Sequence, residues 1–236
     1  MMEKCNYRKD PHQDIDHVFR DLLPAHGMVE RPAQVELSHQ MLDTMLNGSI
    51  ALCDAGTGIG KTYVYLVAGV VFRRYRSRAG LPNQPLLIST SSIALQGAII
   101  HDYLPFLSKV MMADGMLDSP LRAVLRKGKS HYVCDARLMK RLQTANLDRK
   151  NPLAKAALLS MRDHLDLDMA PHLSGYDRER ICVPPTCDCG KTECRYLCYL
   201  DVCASERYAI QVCNHNLLLA DAIHQGSGKR PILPDS

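Results

Sequence analysis

Eight residues, Ala55-Gly-Thr-Gly-Ile-Gly-Lys61-Thr62, restrict what this chain can fold into more than any other stretch. Glycines at positions 56, 58 and 60 let the backbone wrap closely round a phosphate and turn its N–H groups toward it, while a helix starting after them presents its positive end. Lys61 is then placed to reach the β- and γ-phosphates, and Thr62 to ligate Mg²⁺. Position 55 holds Ala where the strict pattern has Gly. The flanks suit this chemistry: Ser49-Ile-Ala-Leu-Cys53 has the length of a short buried strand, and a helix is expected from Lys61 to about Tyr75. Ala55, Gly56, Thr57, Gly58, Ile59, Gly60, Lys61 and Thr62 are therefore the expected nucleotide-binding residues, with ATP and Mg²⁺ as ligands.

Strands and helices alternate round this loop. Asp14 to Leu23 reads as a short amphipathic helix, and Pro32 to Leu46 as a second one closed by Asn47-Gly48. Pro85-Leu-Leu-Ile-Ser-Thr90 reads as a strand and Ile93 to Ile100 as the helix after it. Such alternation argues for an α/β fold, a P-loop (RecA-like) parallel sheet covered on both faces. From about Leu107 to Arg180 the chain is rich in Leu, Met, Arg and Asp, with helix-like patterning and no convincing strand, as an insertion would be. Ile210-Gln-Val-Cys213 returns to strand character. The expected organisation is a first part of a sheet domain over 1–106, an insertion over 107–206 and a return to the sheet over 207–236.

With 236 residues, 46% of them hydrophobic, the chain can bury a sizeable core. No run reaches the roughly 18 apolar residues a membrane span needs, and Met1 to Asp10 lacks the apolar centre of a signal peptide, so a cytoplasmic protein with no membrane partner is expected. The net charge is only +4, but Arg73, Arg74, Arg76 and Arg78 cluster, as do Arg122, Arg126, Lys127 and Lys129. Each cluster suits either a phosphate backbone or a solvated helix end.

Seven of the ten cysteines fall between Cys182 and Cys213. In a reducing compartment such crowding points to a metal rather than to disulfides. Cys182, Cys187, Cys189, Cys194, Cys198 and Cys203 lie within 22 residues, a spacing that serves a [4Fe–4S] cluster or a structural Zn²⁺ equally. Cys53 reads as core, and Cys134 stands apart.

Gln34, in Arg31-Pro-Ala-Gln34, lies where some helicases place a glutamine that reads adenine, although a surface helix glutamine would look the same. Hydroxyls in Ser89-Thr-Ser-Ser92 could bind DNA phosphates or cap the next helix. Together with Lys127-Gly-Lys-Ser-His-Tyr-Val-Cys134 and Cys213-Asn-His-Asn-Leu-Leu-Leu-Ala-Asp221, these motifs make the chain resemble the DinG branch of the XPD-like, superfamily 2 iron–sulfur helicases. The resemblance implies a [4Fe–4S] insertion whose first ligand is Cys134 and whose others include Cys189 and Cys194, with Cys198 or Cys203 last and Cys182 and Cys187 as substitutes. It also implies ATP-driven 5′ to 3′ movement on single-stranded or forked DNA, with Lys127, Lys129 and Arg137 facing the DNA.

The resemblance further implies an Asp-Glu pair that binds Mg²⁺ and a second motor domain with an arginine finger, and neither occurs by Ser236. Hydrolysis needs both, so this chain is expected to bind nucleotide weakly and not to unwind DNA by itself. The alternatives are a non-catalytic, zinc-containing nucleic-acid-binding module with a vestigial loop, and a small P-loop kinase or transferase.

Overall fold

The computed structural model describes residues 10–144, 152–187, 194–205, 207–228 and 231–233, and Cys189 lies outside them. Contacts divide the chain into two units, one of Met1–Leu125, Tyr208–Val212 and Pro234–Ser236, the other of Arg126–Arg207 and Cys213–Leu233.

Helix α4 (Lys61–Arg78) organises the first unit. Val64, Leu66, Val67, Ala68, Gly69, Val70 and Val71 are buried and lie round most of its circumference, so other elements must cover it on several sides. Helix α1 (Pro11–His17), which continues through a wide turn into α2 (Leu23–Ala25), contributes Ile15 and Leu23, while α3 (Pro32–Leu46) contributes Val35 and Leu42. Strand β1 (Leu86–Ser89) approaches at Gly69, where an added Cβ would lie 2.4 Å from Leu86 Cδ2. Only glycine allows that approach. Helices α5 (Ile93–Ala98) and α6 (Leu104–Ala113), joined by a wide turn, add Ile99, Leu104, Leu107 and Met111 to the same core. Each such fully buried side chain stabilises the unit by roughly 1.5–3 kcal/mol.

The sheet is small and parallel, with the order β1-β3-β2, where β2 is Ala123–Arg126 and β3 is Ile210–Cys213. All four residues of the central strand β3 are buried, as a strand flanked on both sides requires. The result is an α/β fold dominated by helices, compatible with part of a P-loop domain.

Three expectations need correction. Residues 49–53 form no strand, and Ile50 and Leu52 are exposed at 101% and 103%. A strand needs a neighbour for its backbone hydrogen bonds, and among the described residues this run has none. Cys53, read as core, is exposed for the same reason. Conversely, β2 lies in the stretch read as lacking strands, and Leu107 and Met111 from that stretch pack into the first core.

The arginines of α4 serve the helix end rather than an open phosphate patch. Arg74 and Arg78 pair with buried Asp14 at 3.5 and 3.0 Å, Arg73 donates to the Gln84 carbonyl, and Arg76 donates to Pro82 O at 2.7 and 3.0 Å.

The second unit has its own core of Val133, Leu138, Leu158, Met161, Leu167 and Ile181. It holds α7 (Asp135–Thr144), α8 (Pro152–Ser160), α9 (Gly175–Ile181), α10 (Arg195–Ala204) and α11 (His215–Gly226). Antiparallel bridges join Tyr132 to Asp166 and Val133 to Cys182. Asn214 caps α11 by accepting from Leu217 N at 2.8 Å, which gives the Asn214-His215 motif a structural role. No described helix is long and apolar enough to cross a membrane.

Candidate functional site: a phosphate loop beside an aromatic pocket

Residues 55–60 form an irregular loop, and α4 begins directly after it at Lys61. Gly58 and Gly60 adopt φ of +84° and +86°, a region closed to most side chains. The loop is held from one side by the first turn of α3. Gln34 Nε2 donates to Gly60 O at 2.9 Å, and Arg31 Nη1 donates to Gly58 O. Gln34 is itself buried and fixed by α3, whose Ser38 hydroxyl donates to Gln34 O at 2.9 Å. Lys61 Nζ donates to Ala55 O at 2.6 Å, closing the loop on itself.

A cavity of about 400 Å³ opens beside the loop, lined by Met28, Val29, Arg31, Gln34, Gly60, Thr62, Tyr63 and Tyr103. Tyr63 and Tyr103 meet edge to face, with ring centres 5.3 Å apart. Burial raises the Tyr63 pKa, and the neighbouring Tyr103 adds to this, so the Tyr63 ring is a neutral wall at physiological pH. Tyr65 hydrogen-bonds Thr62, although burial keeps its own pKa above the ordinary value. The structure places Gln34 against the phosphate loop, bonded to the Gly60 carbonyl, and sets Arg31, Tyr63, Tyr65 and Tyr103 nearby. Tyr103 has no signal in sequence, because it lies 40 residues beyond Tyr63 and reaches the site only through the packing of α4 on the turn before α6.

The serines after β1 behave as caps. Ser92 accepts from Leu95 N at 3.2 Å and Thr90 Oγ1 from Ser92 N at 3.2 Å, while Gln96 Nε2 donates to Thr90 O at 2.8 Å.

In the second unit, the basic residues expected at DNA make internal bonds. Lys127 Nζ pairs with Asp166 and Asp168 at 2.5 and 2.8 Å, Lys129 Nζ donates to Pro185 O at 2.6 Å, and Arg137 Nη1 donates to Cys182 O at 2.7 Å. Arg126 is buried and donates to Ile232 O at 2.8 Å. Burial alone would raise the Asp168 pKa, but hydrogen bonds from Lys127 and Arg178 outweigh it and hold the carboxyl well below its ordinary range.

The cysteines divide by surroundings. Cys134 and Cys194 are buried, and their following residues are tied together by Arg195 Nε donating to Asp135 Oδ1 at 2.7 Å. Cys198 follows one turn after Cys194 in α10 and is exposed. Cys203 is fully buried against Tyr199, whose hydroxyl lies 3.1 Å from that of Tyr132. Burial pushes the Cys203 thiol up, partly offset by the Tyr199 bond, and pushes Tyr196 up to about 12. Cys182 Sγ donates to Glu179 O at 3.3 Å. Among the described residues no three His, Cys, Asp or Glu side chains form a group able to hold a metal.

Fold and loop together are compatible with part of an α/β domain of the P-loop kind. No protein-family model matches the chain. Among curated proteins it is similar to the 3′-5′ exonuclease DinG of Bacillus subtilis, at 30% identity over 144 residues, covering 61% of this chain and 14% of that protein. The ATP-dependent DNA helicase YoaA of Haemophilus influenzae is 25% identical over 228 residues, 89% of this chain and 32% of that protein. The probable ATP-dependent helicase YpvA of Bacillus subtilis is 23% identical over 247 residues, 98% of this chain and 37% of that protein. These matches show that the chain resembles DinG-type helicases, as its motifs indicated. It spans between 14% and 37% of the length of these relatives.

Proposed function

We propose that this chain is the nucleotide-binding portion of the first motor domain of a DinG-type, ATP-dependent DNA helicase. The carrying observation is the glycine loop at the head of α4, with its carbonyls held by Arg31 and Gln34 so that its amides are free to face a phosphate. In this reading Lys61 neutralises the β- and γ-phosphates, Thr62 ligates Mg²⁺, and the cavity bounded by Gln34, Tyr63 and Tyr103 takes the adenine. Residues up to Leu125 and the returning strand β3 contribute to the motor, and its insertion falls within Arg126–Arg207 rather than starting at residue 107. DNA, single-stranded or forked, is the partner, and movement on it runs 5′ to 3′.

We also propose that the insertion holds a [4Fe–4S] cluster through Cys134, Cys189, Cys194 and Cys198. Support comes from the donor set. Cys134 and Cys194 sit on segments joined by the Asp135–Arg195 ion pair, and Cys198 is one helical turn from Cys194, while Cys203 is turned into the tyrosine cluster. A bound cluster would cross-link these segments through thiolate–iron bonds.

Calorimetric titration with Mg·ADP tests the nucleotide reading: saturable binding that Lys61→Ala removes supports it, and binding unaffected by Lys61→Ala refutes it. Iron and acid-labile sulfide in equal amounts after anaerobic purification support the cluster, whereas zinc alone would favour the non-catalytic module.

A further inference from the structure

Among the residues round the phosphate loop, Arg31 bonds the loop backbone and also lines the neighbouring cavity. Its guanidinium lines the aromatic pocket and donates to Gly58 O, so one side chain touches both the space beside the loop and the loop itself. It belongs to the same helical start as Gln34, which bonds Gly60 O at 2.9 Å. A trans peptide is planar, with its C=O and the following N–H pointing in opposite directions. Holding the Gly58 carbonyl toward Arg31 therefore turns the Ile59 N–H to the other side, and holding the Gly60 carbonyl toward Gln34 does the same for the Lys61 N–H. Gly58 and Gly60 both sit at positive φ, and beside the internal bond from Lys61 Nζ to Ala55 O these two outside bonds hold the loop backbone.

We propose that Arg31 is a positioning residue that sets the phosphate loop from the base side, presenting the Ile59 amide to the phosphates and coupling occupancy of the aromatic pocket to phosphate affinity. Arg31 touches no phosphate itself. It acts through Gly58, and a base that orders the guanidinium orders the loop with it. The inference rests on the nucleotide-binding reading above.

The test is calorimetric titration of the whole chain with Mg·ADP and, separately, with magnesium pyrophosphate, for the unaltered protein, Arg31→Ala and Arg31→Lys. The expected result is that Arg31→Ala weakens pyrophosphate about tenfold, as loss of one hydrogen bond from a charged donor would, and weakens ADP at least as much. Arg31→Lys keeps a charged donor and recovers most of both affinities. An Arg31→Ala protein that loses ADP affinity but keeps pyrophosphate affinity would make Arg31 only a wall of the base pocket and overturn the proposal. So would unchanged affinities for both ligands, or a Lys variant no better than Ala. If the unaltered chain binds ADP but no pyrophosphate, the loop is not set in advance and the proposal fails. Absence of all binding defeats the nucleotide reading as well, whereas ADP binding that depends on Lys61 but not on Arg31 defeats this inference alone. Melting temperatures of the variants separate a misfolded protein from a misplaced loop.

Discussion

Replacing Gly60 by Ala should damage nucleotide binding more than the same change at either neighbouring glycine. Two costs add at this position. Gly60 has φ of +86°, where a side chain costs about 1–2 kcal/mol. Its new Cβ would also meet Gln34 Nε2 at 2.5 Å, which breaks the hydrogen bond to Gly60 O and adds about 1 kcal/mol. The sum, about 2–3 kcal/mol, corresponds to roughly 30- to 150-fold weaker Mg·ADP binding, because every 1.4 kcal/mol is tenfold. Gly58→Ala meets no atom within 4 Å and bears only the backbone cost at φ +84°, so about 5- to 30-fold is expected. Gly56→Ala has only Ile59 Cδ1 at 3.8 Å, an ordinary contact, and should bind within about threefold of the unaltered chain. These factors are upper limits on the binding loss, because whatever part of the cost the empty loop already bears lowers the melting temperature instead. Calorimetric titration of the three variants reads the order, and Gly60→Ala binding as tightly as Gly56→Ala would refute the reasoning.

Ile50→Asp with Leu52→Asp should leave the unfolding free energy within about 0.5 kcal/mol, since both side chains are fully exposed, and should raise solubility. A large fall in melting temperature would instead mean that the run is buried. Asp168 is held deprotonated by Lys127 and Arg178, so its folded pKa lies below the unfolded one, and its stabilising effect is complete above about pH 4 and fades as the pH falls further. Melting curves recorded from about pH 6 to pH 3 should show that loss, and Asp168→Asn should flatten it; equal acid sensitivity in the variant would contradict the ion-pair account. Cys134→Ser should abolish iron retention after anaerobic purification while Cys203→Ser preserves it, and the reverse pattern would exchange their roles.

The phosphate loop was legible because its chemistry dictates local residue types: glycines where the backbone must turn through positive φ, then a lysine and a hydroxyl at the head of a helix. Gln34 was ambiguous, since its distance to the loop fitted an adenine reader and a surface glutamine alike, and only packing brings its amide to the Gly60 carbonyl. Arg31, Tyr63 and Tyr103 were not, since their role depends on which face of α3, α4 and the turn before α6 meets the pocket. Residues 49–53 misled because an apolar run implies burial only when neighbouring strands exist to cover it. Strand β2 escaped because Ala123-Val-Leu-Arg126 is four residues long and runs into a basic stretch. The basic clusters were ambiguous for a different reason: composition cannot show that Asp14 is buried beside Arg74 and Arg78, or that Asp166 and Asp168 await Lys127.

Amide hydrogen exchange with and without Mg·ADP tests the location of the nucleotide site most directly. Protection is expected in residues 31–34 and 55–63, and Lys61→Ala should remove it. Binding that protects other segments, or leaves the phosphate loop unchanged, would contradict the assignment.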